Sequence, residues 1–251
     1  MMRYLLVLLF LFYTSLTFSQ EAIIQFEQAN KFYRDGEYQK AAQMFEQIIK
    51  NGYESSSLYY NLGNAYFKLN NIPASILNYE RAKRLSPNDD DINYNLRLAN
   101  LRVIDKIEPI PHIFIIDWWN SLVNIFSSNG WAWMIIIFLW VAAFCGALIF
   151  IFRSSTLQRL AFFITIVAVI SVLLSVICFI QRHQDEGQQK SGIVFSQTVS
   201  VKSAPDAQST DLFVLHEGVK VEFLDEVGEW RKIRLADGKV GWLTAETVKV
   251  I

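Results

Sequence analysis

Reactive side chains are scarce in this chain. Its two cysteines, Cys145 and Cys178, both lie inside long apolar runs, so no disulfide framework and no thiol or zinc chemistry is expected. In an antiparallel helix pair their depths differ by roughly 18 Å, far beyond disulfide reach. The three histidines, His112, His183 and His216, are scattered, and none has a Cys, Asp or Glu at recurring metal-ligand spacing. A nucleophile elbow, a phosphate-binding P-loop and a dinucleotide fingerprint are all absent, which predicts no enzyme, no metal and no cofactor. Excess positive charge is missing too. The net charge is −1, with 11 basic and 11 acidic residues in 21–106 and 8 and 9 in 190–251, so no nucleic-acid partner is expected.

Charge is missing altogether from Trp118 through Phe152. Within and after that stretch stand two apolar runs, 131–152 and 160–180, each long enough to cross a bilayer at 1.5 Å per residue. Buried core helices are the other possibility, but nothing else in the chain is apolar enough to surround two helices hydrophobic on every face. The sequence therefore predicts a two-helix transmembrane hairpin in a lipid bilayer. Its turn, 153–159, carries Arg153 and Arg159 and no acid, the mark of a cytoplasmic loop. No ionisable residue lies in either span, which argues against a transporter. The pairs Ala142 with Gly146, Ala143 with Ala147 and Ser171 with Ser175 allow close helix packing.

Residues 1–19 read as a secretory signal peptide, with Arg3 before an apolar core and Thr17-Phe18-Ser19 as the cleavage end, or else as an uncleaved anchor. Both readings put the chain beyond residue 19 outside the cytoplasm. Together with the basic turn this places 22–106 and 190–251 on the periplasmic side of a bacterial inner membrane.

An offset of 34 residues pairs Ala29 with Gly63, Asn30 with Asn64, Phe32 with Tyr66, Tyr33 with Phe67 and Phe45 with Tyr79. Helical pairs are expected at 22–52 and 56–86, with a single closing helix over 90–106 that covers the last apolar face. The second copy resembles the tetratricopeptide repeat through Tyr59, Leu62, Gly63, Tyr66, Ala82 and Pro87. In the first copy Gln25 stands where an aromatic is usual. Ser75 replaces an alanine in the second, implying looser packing there. Asp89-Asp90-Asp91 suits the positive end of a helix dipole. The concave face of such a stack would show Phe26, Asn30, Tyr33 and Arg34, then Tyr60, Asn64, Phe67 and Lys68, then Tyr94. The two asparagines could bracket a peptide backbone, or could simply be common at that position with the rings partly core.

Residues 107–130 form either an interfacial helix carrying Trp118 and Trp119 or a loop packed under the repeats. A polar linker is expected at 181–189. From 190 to 251 short alternating runs predict five or six strands in a small all-β barrel, with Gly228, Asp237-Gly238 and Gly241 at turns. VSVKSAP at 199–205 and GVKVEFLDEVGEWRKIRLADGKVGWL at 218–243 resemble the bacterial SH3 domain, with Ala204 in place of a glycine. That resemblance makes Trp230 and Trp242 partly core and partly the floor of a ligand groove.

Taken with NLRLANLRVIDKIEP at 95–109, this order of modules resembles the BatE proteins of the Bat aerotolerance system. The resemblance implies partners: other Bat membrane proteins with von Willebrand A domains, a further repeat protein and a MoxR-type ATPase. Two functions are consistent with it, a membrane scaffold that holds partner segments in the repeat groove, or an envelope sensor or tether whose SH3-like domain binds peptidoglycan.

Overall fold

Short polar side chains set the helix starts. In the computed structural model, which describes residues 20–110, 114–187 and 191–251, Ser55 accepts from the Leu58 amide, Asn71 from that of Ala74, and Asp89 from those of Asp91 and Ile92. These caps satisfy backbone donors that a helix leaves unpaired, and open α3 (Ser56–Lys68), α4 (Ile72–Leu85) and α5 (Asp90–Asn100). Before them run α1 (residues 20–34) and α2 (Tyr38–Lys50). The signal-peptide segment lies outside the described residues. Gly36 and Asn70, one repeat length apart, end α1 and α3 with φ of +80° and +59°. Asparagine is among the few residues besides glycine that occupy that region readily, so the turn survives the substitution.

The 34-residue spacing is visible as packing. Ala29, Phe45, Leu58 and Leu62 share one buried cluster, while Tyr79 and Ile76 belong to the next. Ser75 corrects the expectation of looser packing. It is fully buried and its hydroxyl donates to the Gly63 carbonyl at 2.9 Å, tying α4 to α3. The closing helix is shorter than expected, ending at Asn100 because Lys106 folds back and donates to the carbonyls of Asn100 and Leu101. Residues 101–110 then form an irregular strap.

That strap leads onto the C-terminal sheet, with which the repeats make one compact unit. The other unit spans Pro111–Gln188. The sheet has seven strands, not five or six, because its short first and last strands are not separately legible in the sequence. They are β1 (Ser191–Val194), β2 (Thr198–Lys202), β3 (Asp211–His216), β4 (Lys220–Val227), β5 (Trp230–Arg234), β6 (Val240–Thr244) and β7 (Val248–Val250). All pairings are antiparallel, in the order β3-β2-β6-β5-β4-β1-β7. Gly228 and Gly238 sit in turns with positive φ, but Gly241 lies within β6. A side chain there would collide with Val201 Cγ1, so this glycine permits the close β2–β6 approach and makes no turn.

Sheet and repeats share a single core. Ile76, Leu77, Leu96, Ala99 and Val103 pack with Ile193, Val194, Val219, Val221 and Val248. Around it Asp105 accepts from the His216 amide at 2.7 Å and contacts its ring nitrogen at 2.9 Å, while Lys220 pairs with Glu80 at 2.8 Å. Arg81 and Arg84 donate to the carbonyls of Val250 and Ile251, and the Ile110 amide donates to the Ala236 carbonyl. The sheet thus covers the apolar face left open where the repeats stop, alongside α5.

The second unit is built on α6 (Phe114–Val123), α7 (Ser128–Ile151) and α8 (Ser155–Gly187). Both long helices are long and apolar enough to cross a membrane. Ala161, Ala168, Ser175 and Arg182 recur every seven residues as buried residues of α8, the spacing of a left-handed helix pair. Ser175 falls on this buried stripe as expected, whereas Ala143 and Ala147 of α7 are exposed. The linker expected at 181–189 is helical through Gly187, and the turn at 153–159 shrinks because α8 starts at Ser155. No proline or glycine interrupts 160–186, and Gln181 and Arg182 are engaged by α6 and its exit: Trp119 Nε1 donates to Gln181 at 2.7 Å and Arg182 to Asn124 at 2.9 Å. Residues 107–130 therefore supply a helix, with Phe114, Ile115 and Trp118 exposed.

Candidate ligand groove

The first helices of successive repeats present one face, and asparagine dominates it. Asn61 Nδ2 donates to Asn30 Oδ1 at 2.8 Å, and Asn95 Nδ2 donates to Asn64 Oδ1 at 3.0 Å. Both pairs are separated by 31 residues, and each member is 34 from its counterpart. A polar contact between α1 and α3 is therefore repeated between α3 and α5. Asn64 Oδ1 also accepts from Tyr79 at 2.7 Å, and Asn95 donates to Tyr60 at 2.9 Å. Burial raises the pKa of Tyr79.

This geometry divides the expected site residues. Asn30, Tyr33, Arg34 and Asn64, joined by Asn61, line a cavity of about 260 Å³. Among the described residues, no hydrogen bond occupies Nδ2 of Asn30 or Asn64 or Oδ1 of Asn61, so amide donors and an acceptor are open at the cavity. Lys68 stands four residues on from Asn64 in α3, the position Arg34 holds relative to Asn30 in α1. Tyr33 meets Tyr38 edge-on at 5.2 Å, and burial raises its pKa. Phe26 packs against Phe45 at 5.8 Å and Tyr60 against Tyr79 at 6.0 Å, so these two rings serve the core at least as much as the groove. Phe67 lies under the Arg102 guanidinium at 4.4 Å. Tyr94 is 56% exposed. Asn61 and Asn95 are not among the residues expected from the sequence, although the same 34-residue offset relates them.

In the sheet module, pairing sets Trp230 opposite Thr244 and Lys232 opposite Trp242. Strand alternation then puts Trp230, Lys232 and Trp242 on one face and the buried Ile233 and Leu243 on the other. Lys232 stands over the Trp242 ring at 5.8 Å. Both tryptophans are half-buried.

A solenoid of helical repeats joined to an antiparallel sheet module defines a class of binding protein assembled from adaptor domains. Comparison with known families agrees: residues 26–90 match the tetratricopeptide repeat and residues 197–249 the bacterial SH3 domain. No curated protein matches the chain significantly.

Proposed function

We propose that this chain is a non-catalytic scaffold anchored in a bacterial cytoplasmic membrane, binding a segment of a partner protein in the repeat groove. The observation that carries the reading is the repeated asparagine pair, which offers unpaired amide groups at repeat spacing beside the cations Arg34 and Lys68. Such a surface matches an extended backbone bearing acidic groups. The resemblance to BatE proteins makes other membrane proteins, including those with von Willebrand A domains, the partners of choice. Arg34→Ala combined with Asn30→Ala removes one charged and one neutral hydrogen-bonding group without touching the buried core. Losses of about 0.5–3 kcal/mol per group predict a roughly tenfold or greater fall in cross-linked partner recovered from membranes. Equal recovery by quantitative mass spectrometry would exclude the groove.

Topology is constrained by the shared core. Repeats and sheet precede and follow the hairpin in the chain yet share a core, which supports a topology with both on one side of the bilayer, and the basic turn favours the external side. Protease added to spheroplasts is expected to cut both modules. Protection of 191–251 while 20–110 is digested would overturn the arrangement.

A second reading is favoured by the paired tryptophans on one sheet face, which suit a sugar or stem peptide of peptidoglycan. On that reading the chain tethers or senses the cell wall.

A further inference from the structure

We infer that the sheet module supplies one wall of the repeat groove, so that the partner segment is amphipathic, an acidic stretch joined at one end to large apolar residues. This rests on the groove reading and specifies its ligand. The row Asn30 and Asn64 continues one repeat length on to Leu98, and the row Tyr33 and Phe67 continues to Leu101. At α5 the groove floor therefore changes from amide to aliphatic. There a mostly apolar cleft of about 740 Å³ opens, within the range of pockets that bury a ligand.

Its floor is Tyr94, Leu98 and Leu101 of α5 and its exit, and its side is Ile107 of the strap. The facing wall, where a further repeat would stand in a longer solenoid, comes from Val219 and Ala236 in two turns of the sheet module. Leu101 is 71% exposed and Tyr94 56%, an uncovered aliphatic and aromatic surface.

Charge defines the rest of the occupant. Arg34, Lys68 and Arg102 recur at the 34-residue interval along the edge of the same face. Among the described residues none of the three forms an ion pair, whereas Lys202, Lys220 and Lys239 of the sheet module each have a carboxylate partner within 2.9 Å. A row of cations without counter-charges is complementary to an acidic chain lying along the groove, and the cleft takes the apolar residues at its end.

Anisotropy of fluorescein-labelled peptides with the full-length chain in nanodiscs tests this. The probes are an acidic octapeptide of Asp and Glu, a neutral octapeptide carrying Leu and Phe, and the two joined in both orders. One joined peptide is expected to bind at least tenfold tighter than the acidic one. Leu101→Gln and Ala236→Gln, both at exposed positions, are each expected to abolish that gain without changing the acidic peptide's Kd. Arg34→Ala is expected to weaken both. A joined peptide no tighter than the acidic one, or one indifferent to both glutamine variants, overturns the composite groove and leaves the repeat groove standing. Failure of every peptide to bind, or binding unmoved by Arg34→Ala, sinks the groove reading and this inference with it. Self-association abolished by Leu101→Gln, with no peptide binding, assigns the cleft to a second copy of the chain and likewise overturns it.

Discussion

Replacing Gly218 with valine is expected to detach the sheet module from the repeats. Gly218 forms the β3–β4 turn at φ +91°, and a side chain there would meet Val103 Cγ2 at 2.9 Å and Ile76 Cδ1 at 3.5 Å. The left-handed conformation costs an L residue about 1–2 kcal/mol, and overpacking adds about 1–3 kcal/mol. Both terms fall on a contact made within the shared core. Hydrogen exchange should accelerate in 101–110 and β1, and trypsin should begin to cut the strap at Arg102 or Lys106. Val103→Ala in the same chain removes the closest atom and should restore part of the protection, since neighbouring residues couple. Unchanged exchange in Gly218→Val would show that this turn does not hold the modules together.

Gly63→Leu is expected to be the most damaging single change within the repeats. Even the first added carbon would stand 2.7 Å from two ring atoms of Tyr79. Tyr79 is 1% exposed, its hydroxyl is held by Asn64 and its ring lies against Tyr60, so it has nowhere to retreat. A cost near 3 kcal/mol, the upper part of the overpacking range, lowers the unfolding temperature by roughly 6–12 °C. The measurement belongs on the full chain. Residues 20–106 alone would bare Leu96, Ala99 and Val103, which the sheet covers. A midpoint within about 2 °C of wild type, roughly what a cost below 1 kcal/mol would give, would refute the packing described for this pair.

Features that the chain encodes locally are legible in its sequence. Apolar length without charge marks α7 and α8, because a helix hydrophobic all round has the same signature whatever lies beside it. The 34-residue period marks four helices and fixes which side chains face inward, since small and aromatic residues recur where helices touch. Turn glycines and polar caps mark element ends. Departures from the expected pattern are less readable. Ser75 has the look of a defect and is a hydrogen bond, because its acceptor, the Gly63 carbonyl, belongs to another helix. Gly241 has the look of a turn and is a close approach of two strands, because the atom it must avoid lies on β2.

The sequence by itself thus determined the modules, their order, the two apolar helices and the asparagines at 30 and 64, all of which depend on residues near one another or on a fixed period. Only the tertiary structure decided that Asn61 and Asn95 complete the pairs, that 101–110 is a strap, and that the sheet module closes the repeat stack. The last of these joins residues more than a hundred positions apart, as Asp105 with His216 and Lys220 with Glu80. No periodicity reports such a contact, since complementary shape and charge across an interface leave each partner's own pattern unchanged.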